Sequence, residues 1–213
     1  MNPERLMQNF NRLIDTPDAV PRLRRFILNL AVRGKLVEQN PDDEPAAELL
    51  KIATESVDVP FLLPNKWVSA RAGKLLNIQY GKARPAKDRS DQGRVPVYGS
   101  NGIVGYCEEV LSEESAIIIG RKGSAGALNL CDGPSWTTDV AYFLIPPAFF
   151  NIRFLLTALE TLGLGSLGKG VKPGLSRSEA YQLPIMVPPL AEQHRIVAKV
   201  DELMKLCDEL EAA

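Results

Sequence analysis

Apolar residues recur at helical spacing at both ends of the chain and at strand spacing in between. Near the start, Leu6, Phe10, Leu13 and Ile14 form one helical stripe, which Pro17 ends. Leu23, Phe26, Ile27 and Leu30 form a second, with Gly34 placed to stop it as a C-terminal cap. Asn40-Pro41-Asp42-Asp43 supplies a turn and an N-cap, so a short helix is expected over 44–53. Pro60 and Pro64 bracket a linker, and Trp67 opens a different texture.

From there to about residue 188, short β-type runs at 75–80, 95–98, 103–106, 116–119 and 140–145 alternate with glycine-rich turns. One helix interrupts them at 152–162, after Pro146-Pro147, and a loop with five glycines and two lysines follows at 163–176. The end of the chain is a helix over 191–211. Its apolar positions Ile196, Val200, Leu203, Cys207 and Leu210 are spaced 4, 3, 4, 3, the rhythm of a helix–helix seam. The pattern predicts an α+β protein: a helical lead-in (residues 1–60), a small mixed domain of short strands with helices (61–188) and a long coiled-coil-type helix (189–213).

Composition adds bounds. With 45% hydrophobic and 24% charged residues in 213, the chain can bury a sizeable core. No apolar run approaches the roughly 18 residues that span a bilayer, and the first ten residues lack a signal peptide's apolar core. A cytoplasmic protein without membrane contact is expected. Cys107, Cys131 and Cys207 are far apart and odd in number, which argues against a disulfide framework or a cysteine zinc site.

The net charge of −1 hides a segregation. Residues 66–106 carry eight basic side chains against Asp88 and Asp91, whereas 36–60 carry seven acids against Lys51 alone. A neutral total can thus conceal a face suited to phosphates.

Catalytic patterns are missing. The single His194 sits in a charged helical stretch, and no His/Cys/Asp/Glu cluster has metal-ligand spacing. There is no D-x-K or E-x-K of a metal-dependent nuclease, no P-loop and no G-x-G-x-x-G. Pro146-Pro147 and Pro188-Pro189 lack the leading amide or acid and the aromatic of an amino-methyltransferase motif. No enzymatic activity, metal or cofactor is expected on this chain.

Three strings together resemble the specificity subunits of Type I restriction–modification enzymes. VPVYGSNGIVGY (residues 95–106), preceded by Gly81-Lys82-Ala83-Arg84-Pro85, resembles the opening of a target-recognition domain. IIIGRKGSAGALN (117–129) resembles the family's I-x-R-x-G-x-x-G turn. LPIMVPPLAEQHRIVAKVDELMKLCDELE (183–211) resembles its P-P-L-x-E-Q-x-R-I junction, the most specific of the three, where the recognition domain passes into a long helix. The resemblance implies a subunit with two recognition domains separated by two antiparallel helices, each domain reading half of a split site on double-stranded DNA. Modification subunits carrying S-adenosylmethionine would methylate adenine, and restriction subunits could join. This chain matches one recognition domain and one helix. It would be either a truncated piece or a half-subunit that pairs with itself, and the helical seam favours a homodimer over folding back around Phe26.

Residue chemistry is compatible with DNA reading. Lys82, Arg84, Lys87 and Arg89 can neutralise phosphates, and Lys169 and Lys172 on the glycine-rich loop are a second candidate set. Arg84, Arg89, Ser100, Asn101, Arg121, Lys122 and Ser124 lie in turns and are of the types that read base edges. Two rival readings are a protein–protein scaffold whose helix is the working part and, more remotely, a cryptic methyltransferase.

Overall fold

The computed structural model describes residues 18–50, 57–167 and 174–212. The stripe at residues 6–14 and the lysines Lys169 and Lys172 lie outside them, as does the end of the helix expected over 44–53.

Helix α1 (Ala19–Val32) ends as its sequence suggests. Gly34 takes φ +64°, its N–H donates to Ala31 O at 3.3 Å, and the Lys35 N–H donates to Leu30 O at 3.0 Å. That pair of bonds is a Schellman cap. A Cβ on Gly34 would also collide with Pro64 Cγ, so glycine is required twice over. A short helix α2 (Ala46–Leu50) follows.

The strand-rich part begins at β1 (Val68–Arg71), which pairs antiparallel with β9 (Pro184–Val187). Val68 faces Val187 across this pair, so the chain enters and leaves the region side by side. Next come a helical turn α3 (Ala72–Leu75) and the two-residue strand β2 (Gln79–Tyr80). The strand expected over 75–80 is therefore shorter, because Leu75 completes the helical turn and the Leu76 N–H donates to Ala72 O.

Two sheets follow. In one, β2 pairs with β8 (Ala141–Leu144), β8 with β5 (Ala116–Gly120) and β5 with β6 (Leu128–Cys131), all antiparallel. In the other, β3 (Val95–Gly99) pairs antiparallel with β4 (Gly102–Cys107) and parallel with β7 (Trp136–Thr137).

Strand β5 is buried along its whole length. Its residues alternate between two cores. Ile117 and Ile119 join Tyr142 and Leu144 facing Phe154 and Leu155 of helix α4 (Ile152–Thr161). Ala116 and Ile118 join Phe143 and Tyr98 on the other side. A strand covered on both faces reads as the continuous run AIIIG rather than as an alternation. Asn151 caps α4, its side chain accepting from the N–H groups of Arg153 and Phe154. A short helix α5 (Arg177–Ala180) precedes β9.

Helix α6 (Leu190–Ala212) runs 23 residues and matches the expected terminal helix. Its seam has a different partner from the one the spacing favours. Ile196, Val200 and Cys207 are buried in the same core as Ile27 and Ala31 of α1 and Phe154 of α4, and Leu203 packs half-buried against it. Leu210 is half-exposed. The stripe is covered by this chain's own helices, so self-pairing through its buried members is corrected to folding back. The reason lies in α1, which packs along α6 with Ile27 and Ala31 buried in their shared core. Arg24 reaches over the seam to donate to Asp208 at 2.7 Å and Glu211 at 2.8 Å. Phe26, placed in the α1 stripe from its spacing, is instead 51% exposed. Burial raises the Cys207 thiol pKa, so it remains a neutral core group. Among the described residues, no helix is long and apolar enough to cross a membrane.

Candidate nucleic-acid interface

Strand direction gathers the polar turns at one end of the sheets. β5 finishes at Gly120 where β8 starts at Ala141, and β2 finishes at Tyr80 opposite Tyr142. The hairpin turn Ser100-Asn101 between β3 and β4 rests on the turn that follows β5. Gly120 makes this possible: a Cβ there would overlap the carbonyl oxygens of both Ser100 and Ser124. The first two sequence strings, separate along the chain, thus meet at one edge. Asn101 and Lys122 are exposed there, and Ser100 and Ser124 are half-buried.

Beside this edge lies an open cleft of about 410 Å³, lined by Tyr80, Arg121, Lys122, Tyr142 and the segment 174–178. Arg121 donates through Nη1 to Asp139 O at 3.0 Å, and its guanidinium lies 5.0 Å from the Tyr80 ring centroid and 5.8 Å from that of Tyr142. Arg177 approaches the same Tyr80 ring at 4.7 Å and the Tyr181 ring at 5.8 Å, while donating to Ile78 O. Burial raises the Tyr142 hydroxyl pKa, and that hydroxyl donates to Leu175 O at 2.9 Å. Sequence reading missed Tyr80, Arg177 and their neighbours. The available signal was Ser176 three residues before Glu179, a capping pattern in which the Ser176 hydroxyl accepts from the Glu179 N–H.

The basic stretch 82–94 is divided. Arg84 stacks 4.6 Å above the Trp136 ring, forms an ion pair with Glu109 and donates to Asp88 O. Arg89 forks onto the Arg84 carbonyl oxygen. Arg84 thus ties the loop to β7 and to Glu109 just after β4, and Arg89 ties the loop to itself, whereas Lys82 and Lys87 are exposed.

The junction string is used internally. Glu192 is buried and accepts from Trp67 Nε1 at 2.9 Å and Gln39 Nε2 at 2.6 Å. Gln193 accepts from the Asn151 N–H and donates to the carbonyl oxygens of Phe149 and Pro188. Arg195 is bidentate to Asp43, at 2.6 and 3.2 Å. Glu192, Gln193 and Arg195 of this string therefore fasten α6 to the lead-in and to the strand-rich part.

Residues 64–213 match the family described as the Type I restriction modification DNA specificity domain. The chain belongs to this family. It is 28% identical to the Type I restriction enzyme EcoAI specificity subunit of Escherichia coli, covering 98% of this chain and 44% of that protein. With the EcoEI specificity subunit of the same species it shares 26% identity over 90% of this chain and 40% of the relative. The family member thus spans somewhat under half the length of these two relatives. In fold it resembles the S subunit of a Type I restriction–modification system from M. genitalium, with a TM-score of 0.64 at 18% identity over 98% of this chain and 53% of that one. It also resembles the HsdS subunit from Thermoanaerobacter tengcongensis, with a TM-score of 0.59 at 20% identity over 98% of this chain and 52% of that one.

Proposed function

We propose that this chain reads one half of a bipartite target on double-stranded DNA within a Type I restriction–modification complex, and has no catalytic role of its own. The observation that carries the reading is the convergence of the Ser100-Asn101 and Arg121–Ser124 turns at one end of the sheets, with Asn101 and Lys122 exposed. Asn can pair in bidentate fashion with adenine in the major groove, and Lys can contact guanine or phosphate. Residues 61–188 would face DNA. The helices before and after them would dock modification subunits, which would hold the S-adenosylmethionine, with restriction subunits joining the full assembly. Such a complex works in the cytoplasm, where its DNA is. A homodimer remains a separate proposal and would need a surface other than the buried part of the α6 seam.

The test is selection of bound duplexes from a randomised library by the chain assembled with its modification partner. Asn101→Ala should lose preference at one position, by about 1–3 kcal/mol, with its salt dependence unchanged. Selection without any preferred sequence would favour the scaffold reading, which has support of its own in the rigid fastening of α6 through Glu192, Gln193 and Arg195.

A further inference from the structure

The cleft beside the reading edge is cationic in an unusual way. Arg121, Lys122 and Arg177 line it together with Ser176 and Ser178, and among the described residues no carboxylate does. Two guanidinium groups sit within 5.0 Å of the centroid of the single Tyr80 ring. Like charges so placed raise each other's energy, and among the described residues no ion pair relieves either one. Each is held by a backbone carbonyl instead, Asp139 O for Arg121 and Ile78 O for Arg177, so each keeps N–H groups to donate. Stacking on tyrosine restrains the forks before any ligand arrives and so lowers the entropy lost on binding.

From this we infer that the cleft is a clamp for a backbone phosphodiester of duplex DNA, with Arg121 and Arg177 as the paired donors and Tyr80 as the plate that orients them. The inference rests on the DNA-reading function and adds to it. It assigns Tyr80, Arg177 and the serines a ligand, and gives Arg121 a register-setting role rather than a base-reading one. A fixed phosphate at this point would determine which base edges the neighbouring Asn101 and Lys122 can reach. Phosphate is favoured over a base edge because Arg121 lies back across Tyr80 and Tyr142 instead of projecting from its turn. The cleft is open and polar enough for an oxyanion that stays partly hydrated.

The experiment measures binding of the full chain to two duplexes of unrelated sequence across a salt series, comparing wild type with Arg121→Gln, Arg177→Gln, the double variant and Tyr80→Leu. Melting of each variant is followed in parallel, and Arg121→Gln is the safest of them because the guanidinium's bond to Asp139 O is exposed. The clamp predicts equal weakening on both duplexes and a slope of log K against log salt shallower by about 1 for each arginine removed. Tyr80→Leu should weaken binding with both charges still present. If wild type binds and Arg121→Gln keeps its affinity and slope, the clamp is overturned while DNA reading stands. A loss confined to one duplex would make Arg121 a base reader and also overturn it. If wild type shows no salt-dependent binding to either duplex, alone or with its modification partner, both the clamp and the DNA-reading function fall.

Discussion

The Glu192 carboxylate, 1% exposed, accepts a hydrogen bond at 2.9 Å from the indole N–H of Trp67, 125 residues earlier in the chain. Burial pushes the Glu192 pKa above the usual carboxylate range, while the Trp67 and Gln39 donors pull it back. A folded-state pKa above the unfolded one means the folded chain binds the proton more tightly. Stability from this group is present below the unfolded pKa of about 4.3 and is lost as pH rises through the folded value. Trp67→Phe removes a donor that matters most to the charged form. It should cost about 1.5–3 kcal/mol at neutral pH and clearly less near pH 4. Urea unfolding at the two pH values measures the difference, and a cost independent of pH would refute this account of Glu192.

Gln193 makes three hydrogen bonds from a fully buried position. Gln193→Leu keeps the bulk but leaves the Asn151 N–H and two carbonyl oxygens without their partner. A loss of about 1–3 kcal/mol is expected, visible as a lower melting temperature. DNA affinity of the folded fraction should not change, because this site lies away from the reading edge.

Val200 is one of the buried members of the α6 seam, in the same core as Ile27 and Ala31 of α1. Val200→Asp would place a charge inside the chain's own core, so the expected result is thermal destabilisation with a large loss of folded protein. Sedimentation of the folded remainder should match wild type. A well-folded variant whose only change is from dimer to monomer would instead place the seam between copies.

The lysines and arginines of the 82–89 stretch should separate. Lys82→Ala with Lys87→Ala is expected to weaken DNA binding on all sequences and leave melting unchanged. Arg84→Ala should lower the melting temperature, since it removes the Trp136 stack and the Glu109 pair together. Equal melting of Arg84→Ala and wild type would show that this arginine is not holding the loop.

Gly34→Ala combines a left-handed backbone with a collision against Pro64. It should destabilise by more than about 1 kcal/mol, detectable by chemical unfolding, and free space at this position would appear as a neutral change.

Local chemistry was enough to place much of the fold. The helical rhythm of 191–211, the Gly34 cap, the buried run of β5 and the turn at Ser100-Asn101 depend on neighbours a few residues apart, so periodicity and turn residues report them directly. Strands β1, β6, β7 and β9 are short and owe their state to partners elsewhere, and their own residues signal little. By itself the sequence pointed to Arg84, Arg89 and Arg121 as candidate contacts and passed over Tyr80 and Arg177. Only the tertiary structure decided which are available: Arg84 and Arg89 turn inward to a loop, while Arg121 and Arg177, 56 residues apart, meet over Tyr80. The α6 seam shows the same division. Its 4, 3, 4, 3 spacing required a helical partner but left its identity open, because an apolar stripe is buried equally well by α1 of the same chain or by another copy. The choice went to α1, which buries Ile27 and Ala31 in the same core as that stripe and whose Arg24 meets the acids at its far end.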